Sequence, residues 1–200
     1  MQIILPESCK QALLERFLKA EAMALWAVQS AQVQQIQGVP PHVLPFLRRH
    51  EEQEAAHLKE FERRLGVPPK ERSRLPRVPR QWSALAVHLL GYEALGLEFA
   101  KLLAQVQPDL HSILDDELIH VGFFEKEVAQ LLLSGGSLAD GARLSAQAWW
   151  RRLPRTLDRY LDGASLAPYR SDLRRTILMT IEARFTAVGL LDPVHVPARV

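Results

Sequence analysis

The sequence predicts an all-α protein: an antiparallel four-helix bundle with one long crossover, followed by C-terminal helices. Apolar residues recur at helical spacing in four long stretches, and no segment alternates as a half-buried strand would. Proline and glycine separate these stretches near residues 38–41, 66–80 and 107–109. The first and third breaks are short, so each joins antiparallel neighbours. The break at 66–80 is long enough to cross the whole bundle.

Helix boundaries follow from these breakers. Gly38 to Pro41 ends the first helix, Gly66 ends the second, and Pro108 opens the fourth. The predicted bundle helices cover 6–37, 42–65, 81–107 and 108–133, and two further helices are predicted over 138–161 and 166–190. We therefore expect a bundle over residues 1–134 and a helical extension over 135–200 that packs on it.

Composition limits the classes of function. The 200 residues carry a net charge of +2, with 48% hydrophobic and 24% charged residues, which is ordinary for a globular protein. This balance gives no general argument for binding nucleic acid or membranes. The single cysteine, Cys9, excludes an intrachain disulfide framework. With no signal-peptide pattern and no apolar run long enough to span a bilayer, we expect a cytoplasmic protein.

A glutamate interrupts the apolar stripe of each predicted bundle helix. These residues are Glu21, Glu54, Glu93 and Glu117. Burying an unpaired carboxylate costs several kcal/mol, so four of them on inward faces need a cause. Two belong to Glu-x-x-His motifs, Glu54 to His57 and Glu117 to His120, whose spacing places both side chains on one side of a helix. With 15 Glu and 7 His in 200 residues, chance predicts only about 0.5 such motifs.

One glutamate from each of two helices and one Glu-x-x-His from each of the other two is the ligand pattern of a dinuclear carboxylate site. The predicted ligands are Glu21, Glu54, His57, Glu93, Glu117 and His120. Four carboxylates would neutralise two divalent cations, and oxygen and imidazole donors suit iron or manganese better than a closed zinc site. We expect two iron ions, with Mn/Fe and Mn/Mn also compatible.

Several neighbouring positions remain open. Glu98, five residues after Glu93, is the less favoured alternative as third-helix ligand. Asp116 and Gln53 each precede a motif glutamate, and either could fix a ligating histidine by a hydrogen bond or lie on a solvated helix side. The remaining histidines are interpreted as structural or exposed: His42, His50, His88, His111 and His195.

These motifs resemble the ferritin-like superfamily of di-iron carboxylate proteins over residues 7–133. The stretches from His50 to Leu58 and from Glu93 to Ala100 are most similar to the tRNA hydroxylase acting on methylthio-isopentenyl-adenosine. The helix with Glu54 is also similar to the demethoxyubiquinone hydroxylases. The resemblance implies the six ligands above, with Glu54 and Glu117 bridging the metals and serving in catalysis, and Asp116 supporting a ligand.

Three functions follow as hypotheses. The preferred one is an oxygen-activating di-iron oxidase or hydroxylase, with O2 as co-substrate, an electron donor and an unidentified small-molecule or nucleoside substrate. The second is a ferroxidase, iron-handling or peroxide-scavenging protein. The third is a tRNA-modifying hydroxylase that contacts RNA through the basic segment 63–80, although a solvated crossover is the favoured interpretation of that segment. We expect a monomer or dimer.

Overall fold

The computed structural model describes residues 3–67 and 77–192, and this part of the chain is built from helices without a strand. Its six α-helices are α1 (Lys10–Val33), α2 (Val43–Leu65), α3 (Trp82–Val106), α4 (His111–Leu133), α5 (Gly136–Tyr160) and α6 (Arg170–Ala187). The all-α prediction is confirmed, and the six helices lie within a few residues of their predicted bounds. None of the described helices combines the length and apolarity needed to cross a membrane.

Hydrogen bonds at the helix ends establish the directions of α1 to α4. After α1, the Gln37 amide donates to the Arg80 carbonyl just before α3, at 2.7 Å. At the other end, Arg64 near the end of α2 donates to Gln107 Oε1 just after α3, at 2.9 Å. Helices α2 and α3 therefore run parallel, and the connection between them begins and ends at opposite ends of the bundle. The pairs α1–α2 and α3–α4 pack as antiparallel hairpins.

Helix α3 is the centre of the packing. It contacts α1, α4, α5 and α6, and 19 of its 25 residues are buried. Helix α5 approaches it closely because Gly91 has no side chain: a Cβ there would lie 2.7 Å from Trp149 Nε1. Leu153 of α5 and Phe185 of α6 belong to the same continuous core as the bundle residues. The described C-terminal helices thus cover one side of α3.

Candidate metal centre

Seven buried side chains with ligating atoms converge between helices α1 to α4. They form two groups of four, and within each group the candidate ligand atoms lie within 4.8 Å of one another. The first group is His50, Glu54, Glu93 and His120, and the second is Glu21, Glu54, His57 and Glu117. All six ligands predicted from the sequence are among them. Glu54 is the member common to both groups.

In the first group, two histidines face two carboxylates. His50 Nε2 lies 3.4 Å from Glu54 Oε1 and 3.3 Å from Glu93 Oε1. His120 Nδ1 lies 3.2 Å from Glu54 Oε1 and 3.5 Å from Glu93 Oε2. The two imidazole rings are 4.0 Å apart between their centroids. This half of the centre is therefore rich in nitrogen.

In the second group, one histidine faces three carboxylates. His57 Nδ1 lies 3.3 Å from Glu21 Oε2 and 4.0 Å from Glu54 Oε1. The same nitrogen lies 4.0 Å from Glu117 Oε1. This half is richer in oxygen, so the two groups offer chemically different surroundings.

These separations fit donors arranged around a cation. Two atoms that are both about 2.1 Å from one ion lie about 3.0 Å apart at a right angle, about 3.4 Å apart in a tetrahedron and about 4.2 Å apart on opposite sides. Within the described residues, many of the same atoms are buried without a hydrogen-bond partner: Glu21 Oε2, both nitrogens of His50, both oxygens of Glu54, His57 Nδ1, Glu93 Oε1 and His120 Nδ1. Each such atom would cost about 1–3 kcal/mol if left unpaired. Divalent metal ions would satisfy them together.

Gln53 and Asp116 hold the two motif histidines across the gap between α2 and α4. His57 Nε2 lies 3.0 Å from Asp116 Oδ2, and His120 Nε2 lies 3.1 Å from Gln53 Oε1. The Gln53 amide also donates to Asp116 Oδ1 at 2.6 Å. Because these oxygens accept, Nε2 of each histidine carries a proton, and Nδ1 is the nitrogen that faces the centre. Of the two roles left open by the sequence, the structure shows the hydrogen-bonding one.

The structure brings Glu93, and not Glu98, into the centre. Glu98 pairs with Lys101 Nζ at 2.6 Å on its own helix and belongs to neither group. Five residues along an α-helix correspond to a rotation of about 140° beyond a full turn, so the two carboxylates cannot share one face.

His50 is the member that sequence reasoning missed. It is fully buried and lies in the first group, whereas the sequence analysis assigned it a structural or exposed position. It stands four residues before Glu54, a spacing that also shares a helix face. The motif His-x-x-x-Glu-x-x-His was therefore a usable signal. Of the other histidines, His42 pairs with Glu127 at 2.7 Å, and His195 lies outside the described residues.

Burial controls the protonation of the carboxylates in the metal-free protein. It raises the pKa of Glu21 and of Glu117 well above the ordinary value, and the nearby charge of Glu54 raises both further. Burial also acts on Glu54, but the close imidazoles of His120 and His50 outweigh that effect and lower its pKa. The charge of His50 likewise lowers the pKa of Glu93, so Glu54 and Glu93 are the carboxylates that favour the anionic form in the metal-free cluster.

Burial alone lowers the pKa of a histidine, but the pKa of both histidines in the first group is raised. Burial would lower the pKa of His50, but the charge of Glu93 and the contact with Glu54 raise it to about 10. For His120, burial is likewise outweighed by the nearby carboxylates of Glu54 and Glu93, and the pKa rises to about 9. In the metal-free protein, protons on these imidazoles occupy the place that cations would take.

Packing around the centre makes space for Glu117 and covers His50 and His120 with aromatic rings. A Cβ at Gly96 of α3 would lie 2.9 Å from Glu117 Oε2, so glycine makes space for this carboxylate. The Phe46 ring lies 5.7 Å from His50 and 6.2 Å from His120 between centroids, and the Phe124 ring lies 5.7 Å from His50. These aromatic rings shield the nitrogen-rich group from water.

The basic segment 63–80 is only partly described. Arg63 pairs with Glu60 at 2.7 Å, and Arg64 pairs with Glu60 at 2.6 Å and with Asp109 at 2.7 Å. These two guanidinium groups therefore already have carboxylate partners. Lys70, Arg72 and Arg74, on which the predicted RNA contact also depended, lie outside the described residues.

No protein-family model matches the chain, and no curated protein or solved structure proved significantly similar to it.

Proposed function

We propose that this chain is a ferritin-like dinuclear carboxylate protein that binds two iron ions and uses them with O2 to oxidise or hydroxylate a substrate. The observation that carries the proposal is that Glu54 belongs to two buried four-donor groups. A carboxylate has two oxygens and can bridge two cations. The parallel directions of α2 and α3, each of which belongs to one of the two antiparallel hairpins, support the same assignment.

The donor set favours iron or manganese. Four carboxylates balance the charge of two divalent ions, and the remaining ligands are neutral imidazoles. With no thiolate in either group and at most four protein donors for each ion, positions remain for oxygen and substrate. Two iron ions would supply electrons and Lewis acidity for the reduction of O2. Mn/Fe and Mn/Mn pairs fit the same ligands.

The protein's own residues set the conditions for this chemistry. Asp116 and Gln53 keep His57 and His120 in the ligating tautomer, and the aromatic rings exclude water. Glu54 is the proposed bridging carboxylate. Glu117 belongs to the second group only, so its bridging and catalytic roles remain predictions. Hydroxylation consumes R–H, O2, two electrons and two protons and yields R–OH and water, so an external electron donor is needed.

Oxygen uptake by the Fe(II)-loaded protein tests the proposal. We expect uptake that is fast relative to free Fe(II) in the wild type, lost in Glu54→Ala and retained in Glu98→Gln. Glu98 is a matched control because it is a buried glutamate outside both groups. Uptake that Glu54→Ala leaves unchanged would contradict the proposal.

The same experiment separates oxygenase chemistry from iron handling. An iron-handling protein would oxidise many Fe(II) ions per chain and, for storage, would assemble into a large shell. We expect oxidation to stop near two ions per chain and size-exclusion chromatography to show a monomer or dimer. Oxidation continuing far beyond two ions would favour iron handling instead.

A further inference from the structure

A large groove runs alongside the metal centre. Its volume is about 1400 Å³, and it lies among α1, α3, α5 and the end of α2. Its walls include apolar side chains from four helices: Leu18, Met23, Trp26, Leu58, Leu95, Trp149 and Leu153. Leu95 is 5% exposed, Trp149 7% and Leu153 2%, so the floor is well packed. Sites for small organic ligands have a mostly apolar lining and volumes of about 300–1,000 Å³, so this larger groove has room for an extended organic ligand.

Several residues that line the groove stand next to candidate ligands in the sequence. Ala22 lines the groove and directly follows Glu21, and Tyr92 lines it directly before Glu93. Leu58 likewise lines it directly after His57. On α1, α2 and α3, residues of the groove wall are thus the immediate chain neighbours of candidate ligands.

The groove also carries a strong positive charge. Six cationic side chains line it: Arg16, Lys19, Arg151, Arg152, Arg155 and Arg159. The acidic residues lining it are Glu62 and Asp158, and Asp158 already pairs with Arg174 at 2.9 Å.

The arginines of α5 form an unbalanced stripe. Arg151, Arg155 and Arg159 follow one another at four-residue spacing, and all are exposed. Like charges at this spacing repel each other on a helix. In the described part of the chain, no carboxylate comes within ion-pair distance of any of these three guanidinium groups. An anionic ligand would supply the missing counter-charge.

We propose that this groove binds an amphipathic anion, with an apolar body along the floor and a carboxylate or phosphate head at the α5 arginines. Identifying this molecule as the substrate rests on the proposed oxygen chemistry, whereas its binding does not. Because residues of the groove wall are chain neighbours of Glu21, His57 and Glu93, oxidation would convert a C–H bond of the apolar body into C–OH, away from the anionic head. The electrons would come from an external reduced flavin or iron–sulfur protein.

A nucleic-acid strand fits these observations less well. Its affinity comes mainly from phosphate contacts at an exposed basic surface, with aromatic side chains as stacking platforms. Here the cations line a groove together with apolar side chains, among which aliphatic residues outnumber aromatic ones.

Calorimetric titration of the metal-free protein with twelve-carbon probes tests the proposal. We expect dodecanoate and dodecyl phosphate to bind, and their ratio of affinities to identify the preferred head. Dodecanol should bind at least tenfold more weakly, and dodecyltrimethylammonium should not bind. Each methylene removed from the carboxylate series should weaken binding about fourfold.

Two double variants isolate the role of the arginines. Arg151→Gln/Arg155→Gln should weaken dodecanoate binding about tenfold and leave dodecanol binding unchanged. The control Arg143→Gln/Arg175→Gln removes two exposed arginines of α5 and α6 that do not line the groove, and it should change neither affinity.

Equal binding of dodecanol and dodecanoate, or the absence of binding by both anions, would overturn the proposal. So would tight binding of a single-stranded RNA twelve-mer that needs the same arginines while the amphiphiles fail to bind. The Glu54→Ala variant separates this proposal from the metal assignment, because it should lose its metals and still bind dodecanoate. If the wild type loads metal and takes up O2 but binds no amphiphile, only the groove proposal fails.

Discussion

Replacing Gly96 with alanine should weaken metal binding without unfolding the protein. The new Cβ would lie 2.9 Å from Glu117 Oε2 and 3.6 Å from its Cδ. Ordinary contacts begin near 3.5 Å, so the carboxylate must move away by about 0.6 Å. The distance between a metal ion and a ligand atom varies by only about 0.2 Å, so this movement would take Glu117 out of its ligating position.

Two effects are expected in the Gly96→Ala variant: weaker metal binding and a small gain in stability. Displacing one support of a metal centre costs about 10-fold to 100-fold in metal affinity. The displaced atom is the end of a flexible side chain, so moving it costs little stability. Alanine in place of glycine inside a helix contributes about 0.5–1 kcal/mol of stability. The metal-free Gly96→Ala protein should therefore be at least as stable as the wild type.

Gly122→Ala provides the matched control. Gly122 lies within α4, two residues after His120, and a Cβ there would meet nothing within 4 Å. This variant should gain the same helix stability and keep wild-type metal affinity. Competition titrations against a chelator measure the affinity, and thermal unfolding followed by circular dichroism measures the stability. Wild-type affinity in Gly96→Ala would refute the placement of Glu117 as a ligand.

Three further predictions concern the histidines. His50→Leu removes one imidazole from the nitrogen-rich group, so the number of ions bound at limiting metal should fall from two towards one. If the variant binds two ions with wild-type affinity, His50 is excluded as a ligand. Asp116→Ala frees His57 Nε2 and should lower metal affinity about 10-fold to 100-fold with the fold retained, whereas unchanged affinity would show that His57 needs no such support. Finally, the metal-free protein should lose stability between pH 7 and pH 10. The folded-state pKa values of His50 and His120, about 10 and about 9, exceed the unfolded value of 6.5. Their stabilising effect is therefore complete below pH 6.5 and is lost as the pH rises through the folded-state values. Thermal melting should show this decrease, and a melting temperature that is constant or rises over this range would contradict it.

The fold was predictable because its determinants are local. Proline and glycine mark each helix end, and the connection at 66–80 is long enough to join parallel helices. Four glutamates on apolar stripes could be recognised for the same reason, since an uncompensated buried charge is costly at any position.

The remaining features of the site depend on three-dimensional packing. His50 shares a face with Glu54 at four-residue spacing, but a Glu-x-x-His motif includes only a histidine that follows its glutamate. The space that Gly96 leaves for Glu117 exists only once α3 packs against α4. The groove combines faces of α1, α3 and α5, and in sequence its arginines look like an ordinary solvated helix side.

The number of iron ions per chain tests the central claim most directly. After anaerobic loading with Fe(II) and removal of free metal, elemental analysis should find two ions per wild-type chain and two in Glu98→Gln. Glu54→Ala, folded by circular dichroism, should retain almost none, because Glu54 belongs to both groups. Two ions retained by Glu54→Ala, or none bound by the wild type, would contradict the dinuclear centre.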